Sequence, residues 1–384
     1  MSEADPVARS KHYSVIKTRI FLIDLVLTVV ALVVFQAFFS SPVANAAREV
    51  SNNFFVVCFI YSTVFLFFMY ITSLPLNIYS AFYIEHCFGL SDQKLLAWCG
   101  DQVKSAVLTF MVAVIGIEVF YLLLRSCPNW WPLALAFVWI LFSVVLTRIA
   151  PVIVVPLFFH YLPVEDEELR GRLIALSRAA GISLMDICRI DFSKKTKKAN
   201  AALVGLGKSR KVILADTLTD EFTHSEIEMV VAHEFGHHKF RHIWQLLAFS
   251  GVVTTVGFYL LYLVLGRVSM LFGASGNSDL SIFPILIFLL MVFSLAVLPL
   301  QNLFSRILEK QADRFALDLT GEPAIFIRTM EKLGEMNLAD LNPSALKKIF
   351  LYNHPPINER MEMAEKWKAN GRDEKSFALK NGKK

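Results

Sequence analysis

The sequence is short of charge: Asp, Glu, Lys and Arg make up 18% of its 384 residues, against roughly 25% in a soluble globular domain. It is also short of cysteine. The five present, Cys58, Cys87, Cys99, Cys127 and Cys188, are odd in number and form no C-x-x-C pair, so they read as reduced, small apolar residues and leave no disulfide framework. No internal repeat, low-complexity block or RNA- or DNA-binding module is present, and nucleic acid is set aside as a partner. What is abundant is apolar surface: 55% hydrophobic residues, 33 Phe and a mean hydropathy of +0.52.

Such a composition belongs to an integral membrane protein. Apolar runs long enough to cross about 30 Å of hydrocarbon fall at 20–39, 54–74, 107–124, 131–156, 243–265 and 282–303, which predicts six spans. Ala44-Asn45-Ala46 imitates a signal-peptide cleavage site. The first run is nevertheless longer than the usual 7 to about 15 residues and contains Asp24, so it reads as a retained anchor. Six spans place both termini on one side. Arg9, Lys11, Lys17 and Arg19 precede the first span, whereas the loops after spans one, three and five carry only Arg48, Arg125 and Arg267. The positive-inside rule then makes both termini cytoplasmic, together with the loop holding Lys194, Lys195, Lys197, Lys198, Lys208, Arg210, Lys211, Lys239 and Arg241. Topology accounts for this basic excess, and contact of the 194–198 run with anionic lipid is the sharper alternative. Asp24, Glu118 and Arg148 sit inside spans, where they either line a wet chamber or form structural ion pairs.

The expected fold is mainly α: a polytopic helical membrane protein with a small α+β, zincin-like catalytic domain on the cytoplasmic side. Residues 1–162 hold four spans, 163–242 the soluble insert, 243–303 two further spans and 304–384 a polar C-terminal segment beginning near Ser305. Between the second and third spans, 74–104 reads as an interfacial connection marked by Tyr79, Tyr83 and Trp98. The insert opens with an amphipathic helix over 165–180, stopped by Gly181, and continues with strands at 187–192, 201–206 and 212–215. The last two form a hairpin across 207–211.

The chemistry is concentrated in His233-Glu234-Phe235-Gly236-His237. Positions i and i+4 share one face of a helix, so both imidazoles can reach one Zn²⁺, and Glu234 lies where a general base is needed. Thr223 and Glu226 have capping-box spacing, and Ile227, Val230, Val231 and Phe235 form an apolar stripe. A catalytic zinc takes a third protein ligand and keeps one position open. Glu309 is the best candidate, with Asp313 one turn on, placed to accept the distal N–H of a ligating histidine. His238 and His242 compete by proximity, but His238 points about 100° away round the helix and His242 lies a turn further, so both read as surface or interfacial contacts.

Several separated segments together resemble the type I CAAX prenyl protease family of membrane zinc metallopeptidases. They are 79–90 with Ile84-Glu85 and Gly89, Pro156-Leu157-Phe158, Asp191-Phe192-Ser193-Lys194, Asn200-Ala201, 207–218, the histidine motif, Ser305-Arg306 with Glu309 and Asp313, and His354-Pro355-Pro356. The resemblance covers most of 74–362. It implies zinc ligands His233, His237 and Glu309, the base Glu234, and Asp313 behind a ligand. It further implies that His354 and Arg360 steady substrate or the developing oxyanion, and that the strand from Asn200 and Ala201 receives substrate backbone by β-addition. Eukaryotic members look like seven-span proteins, and 39–54 is too short here for the extra helix.

The function expected is a zinc metalloendopeptidase acting on a peptide or protein substrate, prenylated if the family's activity carries over, in contact with membrane lipids. Membrane-protein quality control by an HtpX-type protease is the first alternative and a non-catalytic membrane scaffold the second. The complete set of ligands and base argues against the scaffold.

Overall fold

A computed structural model describes residues 6–205 and 210–381, with side chains described up to residue 369. The tip of the expected 207–211 hairpin, including Lys208, and the C-terminal residues 382–384 lie outside the described residues. Among the described residues six helices are long and apolar enough to cross a membrane: Pro6–Val50, Phe54–Cys87, Leu95–Ser126, Trp131–Phe158, His242–Leu271 and Leu280–Thr320. Their outward faces are apolar and exposed, as at Phe38, Ile115, Phe137 and Val252, which suits a hydrocarbon solvent.

Two expectations need correction. The C-terminal region does not begin anew at Ser305, because one α-helix, Phe283–Thr320, carries the sixth span straight on. From 300 to 320 the sequence offers neither Gly nor Pro to stop it, and termination waits for Gly321 at φ +68°. About 20 residues suffice to cross the hydrocarbon, so this helix projects roughly 30 Å beyond it. Nor is 74–104 a separate interfacial strip. The second span runs on from Asn77 through a π-helical turn, Ile78–Tyr83, to Cys87, and the third begins at Leu95.

The soluble insert is a four-stranded sheet, ordered β1-β2-β4-β3, from β1 Tyr161–Pro163, β2 Asp186–Ile190, β3 Ala201–Val204 and β4 Lys211–Ala215. β3 and β4 are antiparallel as expected, while β2 runs parallel to β4. β1 has three residues, too few for an alternation to be read. The helix Glu167–Ala180 is capped by Asp166, which accepts from Leu169 N at 2.9 Å, and ends at Gly181 with φ +72°. Its buried Leu169 and Leu173 pack with Ile187, Val212 and Leu214 of the sheet.

The membrane half and the insert are joined by Glu85. Tyr13 Oη donates to its Oε1 at 2.7 Å, Lys17 Nζ lies 2.9 Å from Oε1, and Lys198 Nζ lies 2.9 Å from Oε2. The rest of the basic run is paired as well: Lys194 with Asp191 at 2.8 Å, Lys195 with Asp101 at 2.7 Å and Lys197 with Asp92 at 2.6 Å. Protein carboxylates therefore pair all four of these lysines. Among the described residues Asp24, Glu118 and Arg148 form no ion pair, so that reading of the intramembrane charges is withdrawn. The five cysteines are all free.

Candidate metal centre

The histidines stand on the helix His224–Lys239, which starts at a complete capping box between Thr223 and Glu226. Ile227, Val231 and Phe235 are fully buried against the sheet and the Glu167–Ala180 helix. Burial on this scale contributes about 1.5–3 kcal/mol per side chain and orients the helix, so that His233 and His237 face the other way. The sixth helix crosses that face. A Cβ placed on Gly236 would lie 2.9 Å from Ala312 Cα, so only glycine lets the two backbones approach this closely.

This approach brings Glu309 in as the third group. Its Oε2 lies 3.2 Å from His233 Nε2 and its Oε1 3.4 Å from His237 Nε2, and the three side chains offer ligand atoms within 4.8 Å of one another. Asp313, one turn further, is completely buried, with Oδ1 2.8 Å from His233 Nδ1. A carboxylate only accepts, so the ring keeps a proton on Nδ1, and the proton that it would give up to bind a metal is the one on Nε2. Glu309 Oε2 is buried and receives no aligned hydrogen bond, although His233 Nε2 lies 3.2 Å and His354 Nδ1 2.9 Å from it. A starved carboxylate facing two imidazole nitrogens only 3.1 Å apart is what a divalent cation relieves, and the N₂O donor set suits zinc.

The charges around His233 give a measurable consequence. Burial works against its protonation, but the adjacent Asp313 carboxylate outweighs burial and lifts the imidazole to about 9. A ligand must be unprotonated, so metal uptake at pH 7 should release about one proton from this ring. Indicator-monitored titration of metal-free protein with Zn²⁺ should read this release, shrinking as the pH rises past 9; uptake without release at pH 7 contradicts the assignment.

Arg360 stands one layer behind the metal groups. Its Nε donates to Asp313 Oδ2 at 2.8 Å and one Nη to Oδ1 at 2.5 Å, and its side chain is 11% exposed. This bidentate clamp braces Asp313 behind His233. Arg360→Ala should destabilise the catalytic region by about 3–5 kcal/mol, because a fully buried carboxylate loses its partner. Thermal unfolding in detergent checks it, and an unchanged midpoint removes the clamp.

His354 remains at the site, 54% exposed, with Nδ1 2.9 Å from Glu309 Oε2. Its loop is held by Arg306, which donates to the Lys348 carbonyl at 2.8 Å and the Tyr352 carbonyl at 2.6 Å. Arg306 therefore supports the histidine loop, a role that the sequence did not disclose. Glu234 is half-buried beside the two histidines, and its carboxylate has no hydrogen-bond or ion-pair partner among the described residues.

The two rival histidines are not surface contacts. Burial pushes the His238 imidazole down, and its Nε2–H donates to Leu203 O at 2.9 Å. His242 is 1% exposed, with Nδ1 2.9 Å from His237 Nδ1. β3 is an edge strand. Ala215 N donates to Asn200 O at 3.0 Å, which turns the backbone of Asn200 toward β4. By alternation the backbone groups of Ala201 and Leu203 face outward, and His238 has taken the Leu203 carbonyl.

Residues 163–368 match peptidase family M48, and residues 2–160 match the family described as CAAX prenyl protease N-terminal, five membrane helices. In that stretch this chain has four candidate spans, the first continuing through a π-helical turn into the helix Ser40–Val50. An uncharacterized metalloprotease of Bacillus subtilis (strain 168) is 32% identical over 77% of this chain and 70% of its own length. CAAX prenyl protease 1 of Saccharomyces cerevisiae is 31% identical over 76% of this chain and 68% of its own. The corresponding homolog of Arabidopsis thaliana is 30% identical over 76% and 69%. The crystal structure of Ste24p from S. mikatae superposes with a TM-score of 0.84 at 26% identity, covering 94% of this chain and 90% of that one. The fold, the convergent His-His-Glu group and these likenesses together establish that the chain belongs to peptidase family M48, within its CAAX prenyl protease branch, as a multi-pass membrane metalloendopeptidase.

Proposed function

We propose that one zinc ion is held by His233, His237 and Glu309, that Glu234 is the general base, and that the substrate is an extended peptide ending in a prenylated CAAX sequence. The observation that carries this reading is the buried Glu309 carboxylate closing on two imidazole nitrogens, beside a Glu234 with no hydrogen-bond or ion-pair partner among the described residues. The chemistry supplied by such a metal when bound is polarisation of the scissile carbonyl and a lowered pKa for the attacking water. Glu234 takes the proton of that water on a carboxylate oxygen and delivers it to the leaving amine nitrogen. His354 lies with Nδ1 2.9 Å from Glu309 Oε2, and its Nε2 has no partner among the described residues; with both ring nitrogens carrying hydrogen, its Nε2–H donates to the oxygen on which negative charge develops. Asp313 and Arg360 keep the His233 ring in register.

Substrate is aligned on the outer edge of β3. Ala201 offers both its N–H and its carbonyl and Leu203 its N–H, whereas Asn200 contributes an exposed side chain because its carbonyl is turned inward. The charge asymmetry of the loops supports a cytoplasmic position for this edge and the metal groups, together with both termini. The prenyl requirement rests on the relatives that are named CAAX prenyl proteases. It is tested by comparing cleavage of a farnesylated CAAX peptide with its unprenylated twin, using detergent-purified protein of known zinc content. Cleavage confined to the lipidated peptide supports the proposal. Equal cleavage of both removes the prenyl requirement and favours membrane-protein quality control, and zinc-loaded protein inert on every peptide favours the scaffold.

A further inference from the structure

The distal nitrogen of His237 is not served by a carboxylate, as that of His233 is. Its Nδ1 lies 2.9 Å from Nδ1 of His242, and His242 Nε2 lies 3.0 Å from Gln311 Oε1. Two imidazole nitrogens at this distance share a single hydrogen, so one ring donates and the other accepts. The end of the chain decides which. Gln311 presents its amide oxygen, so His242 carries its proton on Nε2 and donates it there. His242 Nδ1 is then a lone pair, and His237 must hold its proton on Nδ1 and donate. His237 Nε2 is left unprotonated, facing Glu309 and His233 Nε2.

The backbone is bent to build this contact. Arg241, between the motif helix and the fifth span, is left-handed at φ +58°, a conformation that costs a non-glycine residue of order 1–3 kcal/mol. This turn starts the helix His242–Leu271 with its first side chain tucked beneath His237, where Phe240 stacks on the His242 ring at 5.7 Å between centroids. Gln311 lies two residues from Glu309 on the sixth helix. The first residue of the fifth-span helix and a residue on the extension of the sixth thus both act on one imidazole.

We propose that His242 and Gln311 are positioning residues that fix the tautomer of His237, so that its Nε2 is held ready for the metal. This inference rests on the reading of His237 as a ligand. The decisive property is the polarity of the residue at 311. An acceptor keeps the relay running toward Gln311, whereas a donor reverses both rings and puts a proton on His237 Nε2.

The test is the zinc affinity of the full-length protein in detergent, by competition with a chromophoric chelator and Zn²⁺ alone as the probe. Gln311→Glu should stay close to wild type, and Gln311→Lys should weaken binding about 10- to 100-fold, the usual range when the partner of a ligating histidine is lost. His242→Phe should weaken it similarly, and His242→Asn should recover part of the loss, since its amide oxygen can accept where Nδ1 did. Gln311 is exposed, so the Glu and Lys variants at 311 remain informative even if a change at buried His242 perturbs folding. The proposal is overturned if Gln311→Lys binds zinc as tightly as Gln311→Glu, or if His242→Asn shows no recovery over His242→Phe in protein that melts like wild type. His237→Ala separates the two levels. Unchanged zinc binding there removes the ligand assignment, and loss there with unaffected relay variants removes only the relay.

Discussion

Glu234→Gln should lower turnover about 10³- to 10⁴-fold while leaving the bound metal in place. The size follows from what the group does: a positioned general base contributes up to about 10⁴-fold, and an amide cannot take a proton. Retention of the metal follows from where the group sits. The three converging groups are His233, His237 and Glu309, and Glu234 is not among them. Its carboxylate also holds no partner among the described residues, so an isosteric amide breaks no existing bond. Metal content by mass spectrometry and the rate on one cleavable peptide, measured on the same preparation, check both halves. His233→Ala is the contrast, losing metal and turnover together. Undiminished activity in Glu234→Gln would remove the mechanism, and loss of its metal would mean that the carboxylate is a ligand.

Gly236→Ala should be nearly as damaging without touching a single reacting atom. Its new methyl would stand 2.9 Å from Ala312 Cα, 3.2 Å from Ala312 O and 3.2 Å from Ala312 Cβ. Two of those atoms are backbone and cannot swing away. The helices must therefore part, at a cost of about 1–3 kcal/mol for overpacking. Glu309 rides on the same helix as Ala312, three residues before it, and moves with it. A ligand displaced by a few tenths of an ångström no longer satisfies a metal, so zinc affinity should fall on the order of 100-fold and activity with it. The same chelator competition reads the effect. Adding Ala312→Gly should recover only part of it, because this removes the contact to Cβ and leaves the one to Cα. Wild-type affinity in Gly236→Ala would mean that the close crossing does not set the third ligand.

The two histidines at i and i+4 were legible because a helix makes their spacing a geometric fact, and the cap at Thr223 and the apolar stripe are equally local. The six spans were legible for a similar reason, since a bilayer sets one threshold of length and hydropathy that each segment meets by itself. Asp313 as a partner of His233 was reachable from its distance to Glu309 along one helix. None of these inferences needs knowledge of which elements meet.

His242, Arg306 and Gly236 were misread or passed over because their meaning lies in contacts between segments. A histidine five residues beyond His237 looks like surface until a left-handed turn at Arg241 folds it back. Arg306 belongs with a histidine loop only because distant carbonyls, Lys348 and Tyr352, arrive within its reach. Likewise the bidentate contact of Arg360 with Asp313 depends on packing between distant segments.

By itself, then, the sequence determined that this chain crosses a membrane about six times and carries one helix built to present two imidazoles and a base. The tertiary structure decided which carboxylate completes the group, how closely it approaches, and which nitrogen of each histidine is free. The physical reason is one of range: helical periodicity and hydropathy act over a few residues, whereas a metal site is set by packing between helices distant along the chain, where a single Cβ at Gly236 is enough to exclude the crossing.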